Sequence, residues 1–345
     1  MVRSGWKRPL LVALKALVAV VVILAVGRHV LRTWNDLKRH ELTVTIRPTW
    51  LAVSGLLYLA GLACCGRFYE QVLRASPTPI ALGPALRAYL ISHLGKYVPG
   101  KAMVVVMRAG LSVPSGARAA TAAIATFYET LVMMASGGLI AALGFAMAGG
   151  SPQLAGELPV LGRVRIGLYP LSSLLALGLG LAFLVVVAPP VFGRICRTVS
   201  LPFPAVGPEA FPAFSAELLA RGLGWTALAW VLLGISQLEV ARGLGSLGLG
   251  QHLALAAVVT AGVAFATVAG FVVAVLPGGL GVREGVLMIA LAPALGEDLA
   301  VVAALVLRLV WVAAELLSAV VLLPFRPRRS RALPDRPEEA GLAPP

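Results

Sequence analysis

Seven stretches of this chain are apolar for long enough to cross a bilayer, at about 10–27, 49–66, 119–148, 169–190, 223–241, 252–275 and 299–323. A transmembrane helix needs about 20 mainly apolar residues. Hydrocarbon holds no water to satisfy backbone N–H and C=O groups, so each segment must satisfy its own, and a helix does so. The pattern predicts an all-α polytopic membrane protein with about 7–8 transmembrane helices. Only 13% of the residues are charged, against roughly 25% in an ordinary soluble domain. The runs leave no stretch for a separate globular core, so residues 1–325 read as one membrane domain. Residues 326–345 combine proline and charge without an apolar period and read as a disordered tail. The link at about 192–222 holds Pro202, Pro204, Pro208 and Pro212, then FSAELLARGL, a candidate short interfacial helix.

The formal net charge is +14. In a soluble chain that excess would suggest nucleic acid. Here the basic residues gather at the ends of apolar runs, as in RSGWKR and RPRRSR, where acidic lipid head groups attract each one by about 1 kcal/mol. The expected partners are membrane lipids with anionic head groups and no nucleic acid; a homo-oligomer or a pathway-enzyme partner stays open. Cys64, Cys65 and Cys196 lack metal-site spacing and read as packing residues, so no metal or other cofactor is expected. The first run reads as an uncleaved anchor, because Leu10–Val26 exceeds a signal core and Lys15 interrupts it. Basic residues near both termini place both in the cytoplasm of a multi-pass cell-membrane protein, which requires an even number of crossings. Seven is odd, so eight crossings are expected, one of them by an interrupted segment.

The interrupted segments are 85–110 and 277–296. In the first, apolar residues stop at Gly95, pass through Lys96, Tyr97, Pro99, Gly100 and Lys101, and resume as AMVVVM before Arg108. In the second, Pro277, Gly278, Gly279 and Gly281 precede Arg283, Glu284 and a short apolar run. Proline removes a backbone donor and glycine loosens the chain, so the freed polar groups need burial in protein or a water-filled cavity. Paired breaks of this kind point to a transport site between inverted repeats. A helix starting near Gly281 or Val282 would aim free N–H groups at the glycine turn, and Arg283 would add a full charge. With Lys96 and Lys101 at the other break, both places suit a phosphate-bearing head group. Glu284 leaves the helix about 100° from Arg283, so its partner should be a basic residue elsewhere.

Four more charges lie inside apolar runs: Glu129, Glu239, Arg308 and Glu315. Each reads either as half of an interhelical ion pair or as a functional group. Arg308 and Glu315 share a helix face but stand about 10 Å apart along the axis, so they should not pair with each other. Glu239 has Arg242 as a span-end partner, and Glu129 could serve as a proton site.

On these residues the chain resembles the lysylphosphatidylglycerol synthase transmembrane-domain family, also described as flippase-like proteins. SHLGKYVPGKA resembles the family's first signature and LPGGLGVREG its second. FYET, with Glu129, is similar to an acidic position after the first signature, and LRLV, with Arg308, to the arginine of the last helix. The likeness extends over about 10–323. It implies a membrane module that moves lipid between leaflets, in some members an aminoacylated phosphatidylglycerol made by a separate soluble domain that this chain has no room for. Other relatives are associated with hopanoid or glycolipid pathways. In the commoner family form an acidic residue follows the first break, where this chain has Met103, Val104 and Val105, which leaves the substrate open.

The leading reading is a flippase for an anionic, aminoacylated or lipid-linked substrate. Its candidate binding residues are Lys96, Tyr97, Pro99, Gly100, Lys101, Glu129, Pro277, Gly278, Gly279, Gly281, Arg283, Glu284 and Arg308. A transporter is expected rather than an enzyme: the three aspartates and four histidines are scattered, and no G-x-S-x-G or nucleotide-binding loop occurs. The alternatives are a non-catalytic membrane partner subunit of a lipid or glycolipid pathway and, behind it, a membrane lipid transferase.

Overall fold

The computed structural model describes residues 46–98, 102–148, 153–158, 162–200, 211–245, 249–273 and 282–325, together with Leu24 and Arg28. The run at 10–27, the tail at 326–345 and Pro202, Pro204 and Pro208 of the link lie outside these residues. The described helices are α1 (Pro48–Arg74), α2 (Leu82–Ser92), α3 (Ala102–Ser112), α4 (Ala119–Met147), α5 (Leu168–Val187), α6 (Pro189–Ser200), α7 (Ala216–Gly243), α8 (Leu249–Val272), α9 (Val282–Leu295) and α10 (Glu297–Leu322). Six of them, α1, α4, α5, α7, α8 over Leu255–Val272, and α10, are long and apolar enough to cross a membrane. They coincide with six of the seven apolar runs, and the protein is an all-α, multi-pass membrane protein. One small antiparallel hairpin, β1 (Gln153–Leu158) and β2 (Gly162–Gly167), joins α4 to α5.

The link differs from expectation. FSAELLARGL is not a separate interfacial helix but the first turns of α7, continuous to Gly243. Ser215 caps it by accepting the Leu218 N–H at 3.1 Å, and nothing between that cap and the apolar run breaks the helix. Upstream, Pro189 opens α6, a helix within what the proline content suggested was a link. Proline suits a first helical turn, where its missing N–H has no partner to lose.

Close backbone approach holds the bundle together. Helices α1 and α7 run antiparallel: Arg47 N–H donates to the Gly243 carbonyl at 2.7 Å, and further along Gly222 lies against the Phe68 ring. Helices α4 and α5 meet at Gly138 and Gly180, where a Cβ on Gly138 would stand 2.5 Å from the Gly180 Cα. Lipid tails are as apolar as leucine, so such helices associate by tight packing and hydrogen bonds rather than by the hydrophobic effect. Ser54 and Ser236 share a hydrogen bond of 2.9 Å across α1 and α7, and Trp311 of α10 donates its indole N–H to Ser236 at 3.0 Å. Leu56, Phe127, Leu143, Leu174 and Leu317 face outward, as a bilayer-facing surface requires.

Both interrupted segments become short helices that reach the interior. Helices α2 and α3, about 16 Å long each, form a hairpin: Ser92 of α2 faces Arg108 of α3, and the tip carries a 3₁₀ turn over His93–Tyr97. Gly95 permits this turn, since a Cβ there would stand 2.9 Å from the Val104 nitrogen. The hairpin enters beside the end of α10, where Arg87 of α2 donates to the Leu322 carbonyl at 3.0 Å. Helix α9, about 21 Å long, packs along both α8 and α10. Gly262 of α8 faces Ala290 and Leu291, and α9 ends at Gly296, whose φ of +83° turns the chain into the start of α10. The two short elements thus approach from opposite ends of α10. Helix α9, of 14 residues, lies alongside α10 only as far as its middle, where Glu284 meets Arg308.

Candidate functional site

The tips of the short helices meet around α10. Arg308, Trp311 and Glu315 lie at i, i+3 and i+7, one stripe of that helix. Arg308 and Trp311 flank its midpoint. Glu315 is fully buried; it pairs with Lys96 of the hairpin tip and accepts the Tyr58 hydroxyl of α1. Lys96 Nζ also lies 3.2 Å from the Tyr58 oxygen and 5.1 Å from the centre of the Tyr97 ring. Tyr58 stacks on Trp311, with ring centres 4.3 Å apart and planes 11° from parallel. On Trp311 rests the Arg283 guanidinium, 4.5 Å from the ring centre. Beside it, Glu284 forms an ion pair with Arg308.

Five of the expected site residues, Lys96, Tyr97, Arg283, Glu284 and Arg308, are therefore brought together. Glu284 takes a partner on another helix, and Arg308 and Glu315 do not pair with each other, as the helix spacing required. Pro99, Gly100, Lys101, Pro277, Gly278, Gly279 and Gly281 lie outside the described residues. Glu129 belongs to a neighbouring network inside the hairpin. It accepts from Arg108 Nη1 at 3.0 Å and from the Tyr89 hydroxyl at 2.9 Å. Arg108 Nε donates to Ser92 at 3.0 Å, and the guanidinium lies 3.8 Å from the Tyr89 ring centre. Arg108 and Glu129 are each 1% exposed, which makes this an enclosed ion pair. Glu239 stands 3.9 Å from Arg242 at the end of α7, the span-end partner expected for it.

Tyr58 and Trp311 were missed as site residues. Trp311 was within reach, because it sits between two intramembrane charges at helical spacing; Tyr58 has no local signal. Glu315, which reads from the sequence as either an ion-pair partner or a functional group, is not among the candidate binding residues, yet it anchors the hairpin tip.

The charge balance is the site's main chemical property. Lys96, Arg283 and Arg308 face Glu284 and Glu315, three cations against two carboxylates. Among the described residues Arg283 has an aromatic face and no carboxylate partner. It lies in the first turn of α9, where free N–H groups add a partial positive charge. Such an arrangement can receive one anionic group against aromatic walls. Comparison with protein-family models gives no match, and comparison with curated proteins gives none either.

Proposed function

We propose that the protein is a lipid translocase, in which the head group of an anionic phospholipid or lipid-linked substrate passes between the hairpin tip and the start of α9 and is held by Arg283. The observation that carries this reading is the intramembrane arginine without a carboxylate partner among the described residues. An arginine at the centre of a transmembrane helix costs about 2.5–3.5 kcal/mol on insertion scales. An arriving phosphate would offset part of that cost by a charge-assisted hydrogen bond. The short helices reaching inward from opposite ends support the reading, since discontinuous helices at mid-membrane are where transporters bind cargo. So does the resemblance of SHLGKYVPGKA and LPGGLGVREG to the flippase-like family.

In this mechanism Arg283 and the α9 N-terminus hold phosphate, Arg308 and Glu284 fix the start of α9 against α10, and Lys96 with Glu315 latches the hairpin tip to α1 and α10. Opening the latch frees the tip and exposes the site to one side. Both termini lie in the cytoplasm of the cell membrane. Without a nucleotide-binding loop, the protein equilibrates lipid or uses an ion gradient.

Leaflet exchange of fluorescent lipids in proteoliposomes, with and without an imposed proton gradient, tests the proposal. Exchange faster for anionic than for zwitterionic head groups is expected. Exchange no faster than in empty vesicles would favour a partner subunit that moves no lipid, and co-purification would then identify its enzyme.

A further inference from the structure

Glu129 and Glu315 are both buried against the hairpin, and their pairing differs. Glu129 has both oxygens occupied, Oε1 by the Tyr89 hydroxyl and Oε2 by Arg108, and an arginine does not give up its charge. The Oε1 of Glu315 takes Lys96 and the Tyr58 hydroxyl, while its Oε2 is buried and accepts no hydrogen bond among the described residues. An ionised carboxylate short of donors is costly inside a bundle, and a proton on the free oxygen would remove that cost. The pair has a way in for that proton, since the Lys96 side chain is 23% exposed and that of Glu315 0%. Around the carboxylate stand Tyr58 from α1, Tyr97 beside Lys96 on the tip, Arg283 from α9 and, two turns back on α10, Arg308 with its partner Glu284. His93, three residues before Lys96, is the other titratable group of the tip, its ring stacked on Tyr89.

We infer that Glu315 binds the coupling proton of the translocase proposed above and, resting on that reading, that proton and anionic head group cross together. With the carboxylate ionised, Lys96 is held and the latch is shut. A proton adding to Oε2 leaves a neutral acid, and Lys96, still an ammonium, loses its counterion. An unpaired ammonium is costly in a dry pocket, so the tip withdraws toward the water that Lys96 already touches. Proton and phosphate both bind the open form better, the proton because Lys96 no longer competes for the carboxylate and the phosphate because Arg283 is then reachable. Each therefore favours binding of the other. On the far side the head group and the proton leave, and the carboxylate takes Lys96 back.

The test records acid-induced infrared difference spectra of the full chain in nanodiscs, where a protonated carboxyl group gives its own carbonyl band. Beside it, leaflet exchange of fluorescent phosphatidylglycerol is followed in proteoliposomes from about pH 5 to 8. The band should be absent in Glu315→Gln and present in His93→Gln. Should Glu315→Gln fail to fold, Tyr58→Phe, which takes one donor from the same carboxylate and keeps the ring on Trp311, should shift the band's frequency. Wild-type exchange should quicken as pH falls, by up to about tenfold per unit for one proton. Glu315→Gln, a mimic of the neutral acid, should exchange at the acid rate at every pH. A missing band in the wild type, a band that survives in Glu315→Gln or ignores Tyr58→Phe, or a pH dependence of exchange that Glu315→Gln keeps overturns the inference. A band confined to Glu315 in a protein that exchanges no lipid at any pH upholds the proton site and overturns instead the translocase reading.

Discussion

Replacing Glu129 by glutamine should destabilise the protein far more than replacing the whole Arg108–Glu129 pair. Glutamine keeps the size of the side chain and an oxygen for the Tyr89 hydroxyl, now 2.9 Å from the carboxylate. It leaves Arg108, 1% exposed, without a counterion. Orphaning a buried charge costs about 3–5 kcal/mol, and the retained hydrogen bond argues for the lower end. About 3 kcal/mol corresponds to roughly a 160-fold loss in the folding equilibrium, at 1.36 kcal/mol per decade. The double replacement Arg108→Met/Glu129→Leu removes both charges at similar volume and should cost less than about 1.5 kcal/mol. The assay is reversible unfolding in mixed micelles, read as a double-mutant cycle in which the two singles sum to far more than the double. A single cost below about 1 kcal/mol, or a double equal to the sum of the singles, would refute the ion-pair reasoning. If Glu129→Gln instead kept full stability and changed only the pH dependence of lipid exchange, Glu129 would be a proton site.

Arg308→Gln should cost about 3 kcal/mol of stability by removing the ion pair with Glu284, whereas Arg283→Gln should cost under about 1.5 kcal/mol, the scale of a cation–π contact; the same unfolding assay checks both. Gly138→Ala should cost about 1–3 kcal/mol by overpacking, because its Cβ would meet the Gly180 backbone at 2.5 Å, while Gly178→Ala, with nothing within 4 Å, should cost nothing measurable in thermal unfolding. Burial pushes the Cys196 thiol up to about 11, so its maleimide labelling should rise about tenfold per pH unit between about pH 7 and 9; an ordinary thiol near 8.5 would level off in that range.

The spans were legible because apolar length is a local property: α1, α4, α5, α7, α8 and α10 coincide with continuous runs. The short helices were legible as breaks, since Gly95 interrupts the first segment and α9 begins where its run of glycines ends. What local pattern could not show is which helices the breaks face. Lys96 pairs with Glu315, 219 positions away, and that choice depends on α10 returning beside α1. The same holds for Arg108, the end of a broken segment in the sequence and the buried partner of Glu129 in the fold. Arg308, Trp311 and Glu315 were a readable exception, a polar and aromatic stripe on an otherwise apolar helix. Helix α6 hid behind Pro189 and Pro190, which serve a helix start as well as a link.

The central claim, that an anionic head group is received at Arg283, is tested most directly by comparing leaflet exchange in wild type, Arg283→Lys and Arg283→Gln, each verified as folded in the reconstituted vesicles. The account predicts that anionic-lipid exchange falls at least tenfold in Arg283→Gln, on the scale of a lost charge-assisted bond of about 1.5–3 kcal/mol, and that Arg283→Lys retains an intermediate rate. Equal exchange of anionic lipid in wild type and Arg283→Gln would contradict it.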